Sequence, residues 1–132
     1  MWKVLVVEDD EEMRAFFAAS VFASSGLELV ASVGTLASAL QELERPGARF
    51  DAVLTDLGLP DGSGLDVIRM ARRLHPECDV MVISMFGDED NVLASIEAGA
   101  LGYIHKDSSS ADVAESILEL KAGASPISPM IA

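Results

Sequence analysis

An α/β fold is predicted, with five strands in a parallel sheet and five helices doubly wound over both of its faces. Two patterns lead to it. Short apolar runs alternate with amphipathic stretches along the whole chain, as in successive βα units and unlike a sandwich or a bundle. Three of those runs, residues 4–7, 52–54 and 80–83, are continuous and rich in β-branched residues, as strands covered on both faces must be. At 132 residues the chain has the size of a single domain with one core.

Taken in order, the first strand covers residues 4–7 and is cut off by Glu8, Asp9 and Asp10. Asp10 can cap a first helix, on which Met13, Phe16, Phe17 and Val21 recur at helical spacing. Residues 27–33 then partly alternate, as an edge strand would. Thr35 is placed to cap a second helix that turns Leu36, Leu40 and Leu43 inward. After the strand at 52–54, either Ser63 or Asp61 opens a third helix with Val67, Met70, Ala71 and Leu74 on its core side. That helix must stop near His75, because the residue before Pro76 is pushed out of the helical region. Beyond the strand at 80–83, Asp88 caps a fourth helix with Val92, Leu93 and Ile96 inward and Gly99 as its terminator. Residues 102–104 form a second edge strand, and Ser110 starts a fifth helix that buries Val113, Ile117 and Leu120 and ends at Gly123. The next stretch, Ala124-Ser125-Pro126-Ile127-Ser128-Pro129, cannot continue a helix and reads as a linker. One folded domain over residues 1–122 and a linker over 123–132 are therefore expected.

Composition removes several function classes. Twenty-two acidic residues against nine basic ones give a formal charge of −13, which argues against direct binding to nucleic acid, where Lys and Arg must displace counterions. The lone Cys78 offers neither a disulfide framework nor a metal-ligand spacing, and a reducing cytoplasm fits it. The apolar opening run is too short for a signal sequence or a bilayer span, so an unexported protein without a membrane partner is expected.

Function enters through where each apolar strand stops. The first runs into Glu8 and Asp9, the third into Asp56, the fourth into Ser84 and the fifth, one residue later, into Lys106. In a parallel sheet all strand C-termini share one edge, and the ligand sites of open α/β folds sit in the crevice outside it. Three carboxylates forced together must raise a pKa or hold a cation. Magnesium suits a few carboxylate oxygens beside a phosphate. Lys106 would add a point positive charge and Ser84 a hydroxyl donor, which together describe a phosphoryl pocket with Asp56 as its nucleophile. Taken singly, each residue has a plainer role: Asp9 or Asp10 as a helix cap, Ser84 in a turn, Lys106 in solvent, Tyr103 on an edge. Their convergence carries the reading. His75 and His105 have no partner at ligand spacing and read as structural, Cys78 as inert, and Trp2 as covering an edge.

The stretches Val6-Val7-Glu8-Asp9-Asp10, Asp56-Leu57-Gly58-Leu59-Pro60-Asp61-Gly62-Ser63-Gly64, Val82-Ile83-Ser84 and Gly99-Ala100-Leu101-Gly102-Tyr103-Ile104-His105-Lys106 resemble, in this order, the response-regulator receiver domains of two-component systems. The resemblance covers residues 3 to about 122. It implies a flavodoxin-like strand order 2-1-3-4-5. It also implies Asp56 as the phosphoacceptor, Mg2+ held by Asp9, Asp56 and the Gly58 carbonyl with Glu8 as an outer ligand, Ser84 as the switch hydroxyl, Lys106 pairing with the phosphoryl group, and Tyr103 as the aromatic switch. The implied phosphodonor is a sensor histidine kinase, and a phosphorylation-driven homodimer is a possible output. Lys106 is followed by Asp107 where many members have proline, which with the linker resembles the LuxR/NarL/FixJ branch, whose DNA contact is made by a C-terminal helix-turn-helix domain. Two further departures are Met85, larger than the usual small residue after the switch hydroxyl, and Gly58, with no side chain to guide or block an attacking water.

Two rivals are weaker. An aspartyl-phosphate phosphatase wants a second aspartate two residues after the nucleophile, where Gly58 stands. A flavin module wants a phosphate loop after the first strand, where Glu8-Asp9-Asp10-Glu11-Glu12 would repel it. The protein is thus expected to be a phosphoacceptor and not a dedicated enzyme.

Overall fold

The computed structural model describes residues 1–85 and 89–123. Five parallel strands form the main sheet: β1 (Trp2–Val7), β2 (Leu27–Val33), β3 (Ala52–Asp56), β6 (Asp79–Ser84) and β7 (Gly102–His105). They lie in the order β2-β1-β3-β6-β7, which is the expected 2-1-3-4-5 once a small hairpin, β4 (Gly58–Leu59) and β5 (Gly62–Ser63), is set aside. The helices are α1 (Glu11–Phe22), α2 (Leu36–Glu44), α3 (Gly64–Leu74), α4 (Glu89–Ala98) and α5 (Ser110–Lys121).

The period-two geometry of a strand divides the core into two layers. Leu5, Val7, Val53, Val80 and Val82 point to one face, where Ala39 and Leu43 of α2 and Val67, Ile68 and Ala71 of α3 cover them. Val4, Val6, Ala52, Leu54, Met81 and Ile83 point to the other, under Phe17 and Val21 of α1 and Val113, Ile117 and Leu120 of α5. Every one of these strand residues is at most 1% exposed, which explains why the three central strands read as unbroken apolar runs.

The caps follow the sequence closely, with informative exceptions. Asp10 accepts from the Met13 N–H at 3.0 Å and Thr35 from the Ser38 N–H at 3.0 Å, as expected. Ser63, not Asp61, caps α3, accepting from the Leu65 N–H at 3.1 Å. Ser109, one residue before the expected start, caps α5 by accepting from Asp112 N–H. The expected Asp88 cap and the linker from residue 124 lie outside the described residues. Gly99 ends α4 with φ +122°, a conformation that side-chain-bearing residues rarely adopt.

Two inward assignments fail, and one edge assignment differs. Leu74 is 41% exposed, since Val67, Ile68 and Ala71 take the buried face of α3, and Leu93 is 48% exposed because Val92 and Ser95 take the buried face of α4. Ser95 tolerates that place because its hydroxyl donates to the Val92 carbonyl of its own helix. Trp2, expected on an edge, begins β1 inside the sheet and is half-buried against the α1 and α5 layer. His75 ends α3 as expected, its Nε2 2.9 Å from the Leu43 carbonyl. Burial pushes the Cys78 thiol up to about 12, so it behaves as a small apolar residue.

Candidate functional site

The five expected polar residues do reach one edge of the sheet. Asp56 is the last residue of β3 and Ser84 the last of β6, while Glu8 and Lys106 each follow their strand by one residue. Parallel pairing sets their spacing. Asp56 is the register partner of Ile83, which puts Ser84 one step beyond it, and the Lys106 N–H donates to the Ser84 carbonyl at 2.8 Å. The Glu8 N–H donates to the Val33 carbonyl at 3.0 Å, continuing the ladder past the end of β1.

Carboxylate oxygens of Glu8, Asp9 and Asp56 all lie within 4.8 Å of one another. Lys106 Nζ is 2.8 Å from Asp56 Oδ2 and 3.1 Å from Glu8 Oε1. The second contact is an ion pair without hydrogen-bond geometry, so Glu8 Oε1 is buried with no hydrogen-bond partner. Glu8 has no exposed surface, and its carboxyl is raised to about 7, first by burial and then by the neighbouring Asp9 and Asp56. Burial alone would lower the Lys106 ammonium, but the Asp56 and Glu8 carboxylates outweigh it and hold Lys106 above the ordinary lysine value. One lysine thus faces three acids. A hard cation with oxygen ligands fits what is left over: the donor set is all oxygen, and a single ammonium cannot neutralise three carboxylates.

The neighbours keep this edge in place and partly open. Gly64 packs so closely on the Asp56 main chain that a Cβ there would run into the Asp56 carbonyl oxygen. The Gly58 N–H donates to Asp56 Oδ1 at 3.3 Å, and a Cβ on Gly58 would meet nothing within 4 Å. Met85, just past Ser84, is 65% exposed at the rim. Ser84 itself is 3% exposed and its Oγ has no hydrogen-bond partner. Tyr103 is outside the acidic cluster. It pairs with Val82, two steps before Ser84, and is half-buried against the α2 and α3 layer, its ring stacked edge-on against His105 at 5.2 Å. No peptide bond among the described residues is cis, Lys106–Asp107 included.

Two neighbours were not legible as site residues. Arg14 donates to the Glu8 carbonyl at 3.0 Å, and Asp61 binds the start of α2. Arg14 gives only a weak signal, a lone cation four residues after the Asp10 cap; Asp61 gives none, since its partners are backbone groups 24 and 25 residues away.

Fold and site together define an open parallel α/β domain that gathers acids, a lysine and a buried hydroxyl at the carboxyl ends of its strands. The chain belongs to the response regulator receiver domain family, whose sequence profile matches residues 4–118. It is 30% identical over 125 residues to the DNA-binding transcriptional activator DevR/DosR of Mycobacterium tuberculosis (strain ATCC 25618 / H37Rv), an alignment that covers 95% of this chain and 57% of that protein. It is 33% identical over 107 residues to the nitrate/nitrite response regulator protein NarP of Escherichia coli (strain K12), covering 81% and 49%. The chain thus spans about half the length of these relatives. Its fold matches a two-component response regulator of the LuxR family from Aurantimonas sp. SI85-9A1 with TM-score 0.83 and 26% identity, over 98% of this chain and 91% of that one. That neighbour agrees with the branch that the Lys106-Asp107 pair suggested. Among the described residues no helix is long and apolar enough to cross a membrane.

Proposed function

We propose that this receiver domain accepts a phosphoryl group on Asp56, with Mg2+ held by Glu8, Asp9, Asp56 and the Gly58 carbonyl, and that the modified edge controls a transcriptional output. The observation that carries the reading is the cluster of Glu8, Asp9 and Asp56 oxygens within 4.8 Å, with Lys106 Nζ 2.8 Å from Asp56. Asp56 is the one acid of the three that combines a place at the end of a central strand with partial exposure. Its carboxylate attacks the phosphorus of a phosphohistidine on a sensor kinase. The new O–P bond forms as the P–N bond breaks, and the imidazole leaves with a proton. Bound Mg2+ supplies positive charge on the transferring oxygens.

Lys106 then pairs with a phosphoryl oxygen in place of the Asp56 oxygen it now holds. The Ser84 hydroxyl, buried and without a partner, gains one in that group. Movement of Ser84 toward Asp56 leaves room behind it on β6 for Tyr103, and the surface of α4 and β7 changes. Taking such an equilibrium from mostly off to mostly on needs roughly 5.5 kcal/mol of differential stabilisation, to which a few charge-assisted contacts contribute. The protein acts in the cytoplasm as a phosphoacceptor that assists its own reaction, not as a dedicated enzyme. Residues 1–122 are the receiver and 123–132 a linker toward a helix-turn-helix domain, which makes the contact with DNA; homodimerisation on phosphorylation would couple the two.

Incubation with a small acyl phosphate and Mg2+, followed by intact mass measurement, tests the acceptor. The protein should gain the mass of one phosphoryl group and the Asp56→Asn variant none. Equal gain by both would remove Asp56 from the role.

A further inference from the structure

The acceptor loop is a two-residue-per-strand hairpin, and it is fastened at its tip as well as its base. At the base the Gly64 N–H donates to the Leu57 carbonyl at 2.8 Å, and Gly64 lies directly on the Asp56 main chain. Along its length Gly58 pairs with Ser63 and Leu59 with Gly62, and Leu59 is buried in the core layer under α2 and α3. At the tip, Asp61 accepts from the Leu36 N–H at 2.7 Å and from the Ala37 N–H at 2.9 Å.

Those two bonds serve the start of α2. A helix leaves its first four N–H groups without intrahelical partners. Here the Thr35 hydroxyl serves the Ser38 N–H, and Asp61 serves those of Leu36 and Ala37, so the first three helical N–H groups all have side-chain acceptors. The positive end of the helix favours the carboxylate. The same N–H groups, Ala37 first, hold the Asp61 carboxyl below the ordinary range, so the contact persists at all physiological pH values. Gly62 seats the tip further, because a Cβ there would run into the Leu36 side chain. A helix that already owned a good cap has recruited a second one from the acceptor loop, three residues after Gly58.

We infer that Asp61 is a positioning residue for the cation site: by fixing the hairpin tip to α2 it sets the orientation of the Gly58 carbonyl at the opposite end of the same strand pair. The inference rests on the metal reading above and gives it a specific dependence. Cation affinity depends on a carboxylate that does not itself belong to the acidic cluster, because a free tip lets the two-residue strand β4 rotate and the Gly58 carbonyl drift.

Calorimetric titration of the full chain with MgCl2 tests it, using the unaltered protein and the Asp61→Ala, Asp61→Asn, Thr35→Ala and Asp9→Asn variants. Asp61→Ala should weaken Mg2+ about tenfold, as loss of a group that orients a ligand does. Asp61→Asn keeps one acceptor oxygen and should fall between Asp61→Ala and the unaltered protein. Thr35→Ala removes the helix's own cap without touching the hairpin. Its thermal midpoint in chelator should fall as much as that of Asp61→Ala while its Mg2+ affinity stays unchanged. Unchanged affinity in both Asp61 variants, or an equal loss in Thr35→Ala, overturns the positioning role. Should Asp61→Ala not fold, Asp61→Asn against Thr35→Ala decides alone. Absence of any Mg2+ heat that Asp9→Asn abolishes would instead remove the metal reading, and this inference with it.

Discussion

Glu8 is a carboxyl group with no exposed surface, and its ionisation is coupled to folding. Its folded pKa of about 7 lies above the value of 4.5 expected in the unfolded chain, so the folded state binds the proton more tightly. The stabilisation is therefore fully present below the unfolded value and is lost as pH rises through 7. In chelator, the urea stability of the metal-free protein should fall between pH 5 and pH 8 by on the order of 3 kcal/mol from this residue. Glu8→Gln should flatten that part of the profile, which separates it from Asp79, also raised by burial. Saturating Mg2+ should flatten it as well, because a cation favours the ionised form. A profile that Glu8→Gln leaves unaltered would show that the carboxyl ionises normally. The polar residues of this edge could be read from the sequence because each apolar run ends on one of them. The depth of Glu8 could not, since an acid after a strand is as often a surface cap; what buries it is the continuation of the ladder to Val33 and the Lys106 side chain from the far end of the sheet.

At the scale of the element, helical spacing marked the covered faces of α1, α2 and α5, and failed locally on α3 and α4. Leu74 and Leu93 obey the spacing yet face solvent. Periodicity identifies a stripe but not which of its members the neighbouring elements cover, nor that a serine bonded to its own helix can replace a leucine. Leu93→Glu should accordingly change stability by less than about 0.5 kcal/mol. Ile117→Ala, in the middle of the α5 face, should cost about 2–5 kcal/mol in denaturant unfolding. Ser109→Ala should cost about 1 kcal/mol through loss of the α5 cap, while Ser110→Ala, at the position expected to start the helix, removes only a hydroxyl contact with Ser20 and should cost less. The reverse ranking would return the cap to Ser110. The hairpin β4–β5 could be anticipated only as a tight turn, because two-residue strands are too short to show alternation.

At the scale of the molecule, among the described residues, the sheet separates two apolar layers, and the site lies at the edge where the strand C-termini gather. Strand order came from resemblance and not from pattern. Alternating runs establish that strands are parallel and covered, but the choice of neighbour depends on connections that leave no periodic trace. Because the acids are brought together only by folding, a cation that binds them stabilises the whole domain. Magnesium at about a hundred times its dissociation constant should add about 2.7 kcal/mol to unfolding, and Asp9→Asn should abolish the gain. A thermal scan with and without the ion measures it.

Under the proposed function, the empty space above Gly58 has a consequence for signal duration. Residue 58 lies two positions after Asp56, the acceptor proposed above, bonds to its carboxylate through the main-chain N–H, and would place a Cβ in the open. The persistence of the message is therefore separable from the architecture that records it: Gly58→Asn or Gly58→Glu can bring a polar group to the reacting water at little cost to folding. Such variants should change the decay rate of the phosphorylated domain while leaving its melting temperature nearly unmoved, making this position a timer that can be reset without rebuilding the clock.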